Sequence, residues 1–174
     1  FLKSCFAHNT TIVDNKPFSE FNGAWGIIKS ALTTNSYHIF KKEFDFVESG
    51  HLGYMFLPSP VIANRKILYF KTHNIWVIID EFITEGSHNY SQIFNFEPNK
   101  TPEIINQKTF IKGNSTDLFM YWTNENVKLN IKKSIFSTEY NTKSDNYQIV
   151  SSLQGNGNKT IFTVLSCNEV KVEN

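Results

Sequence analysis

Between Val61 and Phe96 the sequence runs VIANRKILYFKTHNIWVIIDEFITEGSHNYSQIFNF, three apolar segments parted by two short polar turns. This stretch limits the possible folds more than any other. Ile75–Ile79 is apolar throughout, the pattern of a strand covered on both faces. Thr72-His73-Asn74 and Glu85-Gly86-Ser87 carry the residue types of tight connections. The expectation is a central strand, Ile75–Ile79, with Val61–Lys71 and His88–Phe96 as its neighbours.

The rest of the chain is punctuated in the same way. Ala7–Asp14 (AHNTTIVD) is rich in β-branched residues and ends at an Asp-Asn turn, which predicts a strand. Lys16–Gly23 reads as a loop, and Ala24–Leu32 suits either a strand or a short helix. Phe40–Glu48 alternates, with Phe40, Phe44 and Phe46 on one face, and predicts one half-exposed strand. Ser49–Pro60, with its glycines and prolines, reads as a structured loop. Pro98–Gln107 is another, because Pro98 and Pro102 exclude a central strand. Short strands follow near Thr109–Lys112, Leu118–Thr123, Val127–Lys132, Tyr147–Leu153 and Thr160–Leu165. Gly155-Asn156-Gly157-Asn158 reads as a hairpin turn between the last two. No segment sustains a 3.6-residue apolar period over three turns. The expected fold class is therefore all-β: residues 1–174 as a single antiparallel β-sandwich of many short strands, with little helix.

Charge and composition narrow the function. A net charge of +1 with no basic stripe gives no reason to expect nucleic acid as a partner. No apolar run approaches the about 20 residues of a transmembrane segment. Cys5 and Cys167 can meet only if the terminal strands pair, and two free buried thiols are the alternative. The opening Phe1-Leu2-Lys3 has neither an initiator Met nor a signal peptide, and reads as the start of a piece of a longer polypeptide.

The five histidines stand at no H-x-H or HExxH spacing, and the sequence has no CxxC, nucleophile elbow or P-loop. No catalytic residue is assigned within the chain. His88, Tyr90 and Gln92 share one strand face that would line a sugar groove or form an ordinary solvent-facing strand end. Arg65, on the face of Ala63 and Ile67, needs either an acid such as Asp80 or Glu81 or an anionic ligand, and the internal ion pair is favoured. Trp76 is expected in the core. Trp25, set among loop residues, is the tryptophan expected to be exposed and able to stack on a sugar ring.

Four segments together resemble the C-terminal β-sandwich region of the heparinase II/III-like polysaccharide lyases, a group that includes some alginate lyases. Ser4–Asp14 (SCFAHNTTIVD) is similar to the family's "S…AHNT…VDG", with Asn15 where a Gly is usual. His51-Leu52-Gly53-Tyr54 is similar to an "H-x-GY" loop and makes His51 a further candidate for substrate contact. Arg65–Asp80 resembles "R…ILF…WVVVD". Gly86–Phe96 (GSHNYSQIFNF) resembles "G-x-H-x-Y-x-Q-x-FHF", with Asn95 in place of that last His.

The resemblance implies β-elimination on a uronic-acid-containing, anionic polysaccharide, in a cleft between this sandwich and an upstream helical domain of the same protein. It places the catalytic Tyr and His before Phe1, so the segment alone is expected to be inactive. It also implies a structural zinc in the parent protein, with His8 as the third ligand and the first two upstream. Such polymers occur outside the cytoplasm, which implies a periplasmic, secreted or cell-envelope location. The competing expectation is a non-catalytic carbohydrate-binding or structural sandwich.

Overall fold

A computed structural model describes residues 1–23, 25–124 and 126–170. Their fold is nearly all β. A single 3-10 turn, Cys5–Ala7, precedes β1 (Thr11–Val13). The strands β2 (Glu20–Asn22) and β3 (Gly26–Lys29) form a small separate hairpin. There follow β4 (Tyr37–Phe40), β5 (Phe44–Tyr54), β6 (Val61–Phe70), β7 (Ile75–Ile83) and β8 (Ser87–Asn95). The remaining strands are β9 (Pro102–Ile105), β10 (Lys108–Ile111), β11 (Leu118–Trp122), β12 (Lys128–Phe136), β13 (Ser144–Asn156) and β14 (Lys159–Ser166).

Two antiparallel sheets face each other. The larger has the order β4-β5-β6-β7-β14-β11-β10-β9, the smaller β1-β8-β13-β12. Between them lies a core that includes Tyr54, Phe82, Tyr90, Phe94, Trp122, Ile149 and Ile161. Rings of this size contribute most of the burial: a fully buried Phe-sized side chain is worth roughly 1.5–3 kcal/mol of transfer free energy. The expected antiparallel sandwich is the observed fold.

The apolar run does lie centrally in a sheet, but its neighbours are β6 and β14. His88–Phe96 is not beside it. After Thr84-Glu85-Gly86 the chain crosses to the smaller sheet, where β8 pairs with β1 and β13. Gly155–Asn158 likewise closes no hairpin, since it carries the chain from β13 in the smaller sheet to β14 in the larger. The two crossings lie side by side. Gly157 N–H donates to Gly86 O at 2.8 Å, and Thr84 N–H to Asn158 Oδ1 at 2.9 Å. The same Gly-rich chemistry serves a hairpin or a corner, so turn residues alone cannot tell them apart.

Other boundaries move for local reasons. Phe40 and Phe44 lie on different strands, because β4 and β5 form a hairpin in which Phe40 pairs with Asp45. The strand β5 then continues through the first half of the predicted loop to Tyr54, with a register irregularity between His51 and Tyr54 that takes in Gly53. The Pro98–Gln107 segment contains β9, which is an edge strand with Pro102 at its first position, as proline requires. β1 is only Thr11–Val13. The chain leaves it through Asp14 and Asn15, both at positive φ (52° and 54°). Asn tolerates that left-handed geometry better than most residues, so Asn15 can stand where a Gly is usual.

β7 is not covered on both faces throughout, and Trp76 is 44% exposed and stacked on Tyr69 at 4.1 Å, contrary to its expected place in the core. The buried indole is Trp122. Cys5 is buried and Cys167 half-buried, and both are free.

Candidate functional site

The inner face of β5 and β6 carries a groove of about 350 Å³ where the chain just before β1 and the segments around Ser19 and Thr33 pass over it. Thr10, Ser19, Thr33, Ser49, His51 and Arg65 are among its lining residues. Two of the sequence candidates, His51 and Arg65, are thus brought together in a pocket rich in hydroxyl groups. No carboxylate lines it.

His51 sits at the end of the regular β5–β6 pairing, opposite Ala63. Its ring packs on Phe18 at 4.6 Å, and Nδ1 accepts Gly53 N–H at 3.2 Å. Burial pushes its pKa below the ordinary imidazole value, so the ring is neutral at pH 7. A neutral ring whose Nδ1 accepts carries its proton on Nε2. In this state His51 is a hydrogen-bond donor, and its one lone pair is occupied. It is equipped to bind an oxygen of a ligand, not to abstract a proton.

Arg65 forms the internal ion pair that its place on an apolar face demands. Nε and Nη2 donate to Asp80 Oδ1 and Oδ2 at 2.6 and 2.8 Å, a bidentate fork between directly opposed residues of β6 and β7. Nη1 donates to Asn9 O at 2.8 Å. Asp80 is 1% exposed and also accepts Gln92 Nε2 at 2.6 Å. Gln92 Oε1 in turn accepts Trp122 Nε1, Ser151 Oγ and Thr163 Oγ1 at 3.0, 3.1 and 2.7 Å. One polar network therefore joins both sheets through the core. Arg65 has its charge balanced within the protein, and its edge alone reaches the groove.

His88, Tyr90 and Gln92 do share a face, but it is the inner face of β8, and all three are buried. No polymer can lie along it. The reason is the crossing after β7: it turns this face toward the larger sheet. Tyr90 stacks on Phe82 at 4.3 Å. His88 Nδ1 meets Asp14 Oδ2 at 2.7 Å, and Asp14 Oδ1 accepts Asn89 N–H at 3.0 Å.

Partial burial alone would raise the Asp14 carboxyl. The Asn89 amide, the His88 imidazole and the charge of Lys16 outweigh it and hold the pKa below the usual carboxylate range. A depressed folded-state pKa stabilises the fold above the unfolded value, and that contribution is lost as pH falls through the folded value. Asp14→Asn should therefore lower stability at pH 7 and flatten the acid limb of the stability curve. Urea midpoints of both proteins between pH 7 and pH 2 check this; a constant offset at every pH would refute the linkage.

Trp25 stands in the turn between β2 and β3 and is 95% exposed, as expected. His8 is exposed and follows the 3-10 turn. Its neighbour Asn9 is fixed twice, through Arg65 at its carbonyl and through Asn95 N–H and Nδ2, which donate to Asn9 Oδ1 at 2.7 and 3.1 Å. Among the described residues no three His, Cys, Asp or Glu side chains come together as a metal site. One imidazole does not make a zinc site, which needs at least three protein ligands.

The hydroxyl groups of the groove and the partner of His88 escape sequence reasoning. Thr10, Ser19, Thr33 and Ser49 come from separate segments with no motif among them. Asp14 carries a faint signal, as an acid directly ending a β-branched run.

The family model described as "Heparinase II/III-like, C-terminal" matches residues 1–164. No curated protein matches the sequence. Among solved structures, the heparan sulfate lyase HepC from Pedobacter heparinus aligns over 94% of this chain and 24% of its own, at 15% identity and a TM-score of 0.77. A heparinase III aligns over the same shares at 12% identity and 0.72, and another heparinase III gene product at 13% and 0.71. At these identities the likeness concerns the fold, and the chain spans about a quarter of the length of each. The family match over 1–164 is direct, and with it the chain belongs to the heparinase II/III-like family, as its C-terminal β-sandwich domain.

Proposed function

We propose that this domain works as the β-sandwich part of a polysaccharide lyase that cleaves a uronic-acid-containing polymer by β-elimination. The observation that carries the reading is the family match over residues 1–164. The chemistry of the groove agrees with it. A neutral His51 donor and a ring of hydroxyl groups suit sugar oxygens, and none of these groups is set up as a base. Catalysis then belongs to an upstream helical domain, and this domain supplies one wall of the cleft. His8, held on the pinned Asn9 segment, would complete a structural zinc site whose other ligands lie upstream. Its imidazole would hold the ion and carry no step of the reaction. Action on such a polymer agrees with a periplasmic, secreted or cell-envelope location. Among the described residues no helix is long and apolar enough to cross a membrane.

The full-length protein and the 174-residue chain should be assayed on uronate polymers by the ultraviolet absorbance of the unsaturated product. The full-length protein turns over and the chain alone does not; robust turnover by the chain would overturn the division of labour. In the full-length protein, His51→Ala raises KM severalfold with kcat little changed. His8→Ala lowers bound zinc per protein, and equal zinc content would remove that assignment.

A further inference from the structure

A trough runs between the N-terminal segment and the strands β12 and β13, and it meets the His51 groove at Ser19, which lines both. It has two lobes. One, of about 380 Å³, is lined by Lys132, Lys133, Ser91, Asn15 and the rings of Phe1 and Phe6. The other, of about 680 Å³, shares Phe1 and Phe6 and continues past Lys3, Lys143 and Phe21 to Ile28 of β3. The two lobes adjoin at these shared rings.

Its charge is one-sided. Four lysines line it and a single carboxylate, Glu20, stands against them. Neither Lys132, Lys133 nor Lys143 takes part in an ion pair among the described residues. The lining of the trough adds aromatic surface, with Phe1 and Phe21 exposed, and Lys3 Nζ lies 4.7 Å from the centre of the Phe21 ring. Cations interleaved with flat apolar rings match a polymer that alternates anionic groups with the apolar faces of pyranose rings.

We propose that this trough is a second binding site, for an anionic polysaccharide strand carrying carboxylate or sulfate groups. The proposal rests on the lyase reading for the identity of the polymer. It adds a surface beyond the His51 groove, joined to it at Ser19, that would retain a long chain while another part of it is processed. An apolar protein segment could also fill such a trough, but would offer Lys132, Lys133 and Lys143 no counter-charge, so the saccharide is favoured.

The test is affinity electrophoresis or calorimetry of the protein with three polymers: heparan sulfate, a polyuronate without sulfate, and neutral dextran. Lys132→Gln/Lys133→Gln is compared with Lys132→Arg/Lys133→Arg; both positions are exposed, so the replacements leave the core intact. Wild type and the Arg variant are expected to bind heparan sulfate or polyuronate and to ignore dextran. The Gln variant should bind about tenfold more weakly, with a flatter dependence on salt because fewer counterions are released. Preference for heparan sulfate over polyuronate identifies sulfate as the recognised group, and equal binding identifies the carboxylate. Unchanged affinity in the Gln variant, or equal binding of dextran, overturns the proposal, as does a trough filled by a protein segment in the longer protein. If the full-length protein still cleaves uronate polymers in that case, only the trough fails. If it neither binds nor cleaves any anionic polymer, the lyase reading fails with it.

Discussion

Asp80→Asn is expected to lower the stability of the domain by about 3–5 kcal/mol, the range found when one partner of a buried ion pair is removed. Asp80 has almost no contact with solvent and accepts three hydrogen bonds, two from Arg65 and one from Gln92. Asn keeps the shape but turns one acceptor into a donor that faces the Arg65 fork or the Gln92 amide. The remaining guanidinium is largely withdrawn from water and loses its counter-charge. In urea this corresponds to a midpoint lower by roughly 1–2 M with an unchanged slope. A loss below about 1 kcal/mol would show that water enters and solvates the fork. Arg65→Met in the Asp80→Asn background should recover part of the loss, because the unpaired charge goes with it. The substitution also reaches the candidate metal ligand. With Arg65 no longer aligned, Asn9 O loses its clamp, and the position of His8 next to it loosens.

Phe82→Ala is expected to cost about 3–5 kcal/mol by a different route. The ring is fully buried, stacked on Tyr90 and packed in the main core between the sheets. Its removal leaves a cavity that two hydrogen-bonded sheets cannot collapse around. Thermal or urea unfolding measures the loss, which should not vary with pH, unlike that of Asp14→Asn. Phe82→Leu, which refills most of the space, should recover more than half of it. If Ala and Leu cost the same, the cavity account is wrong.

Single-strand pattern was largely legible in the sequence, and partnership between strands was not. Alternation in Val127–Lys132 and the apolar run at Ile75 each mark a strand, because the burial of a residue depends on its own neighbours within a few positions. Which sheet receives β8 depends on a crossing that uses the same Gly-containing turn as a hairpin would. His88, Tyr90 and Gln92 were correctly placed on one face, and only the direction of that face was missed. The Arg65 ion pair was legible because a charge on an apolar face has few alternatives. The network beyond it was not, since Gln92, Ser151, Thr163 and Trp122 meet only after both sheets have formed. The hydroxyl groove was invisible for the same reason: its lining comes from segments far apart in the chain.

The two crossings joined at Gly86 and Gly157 also govern how the domain assembles. Neither closes a local hairpin, so neither can form early on its own. Ile79 of β7 meets Phe162 of β14 some eighty positions away, and β13 finds β8 across some fifty to seventy. Loop-closure entropy is spent before these contacts form, and such topologies fold slowly, on the millisecond-to-second scale. The last strand, β14, sits between β7 and β11 in the middle of the larger sheet. On the ribosome the larger sheet therefore cannot close until the end of the domain has emerged, and until then β7 and β11 present open edges to one another and to other chains.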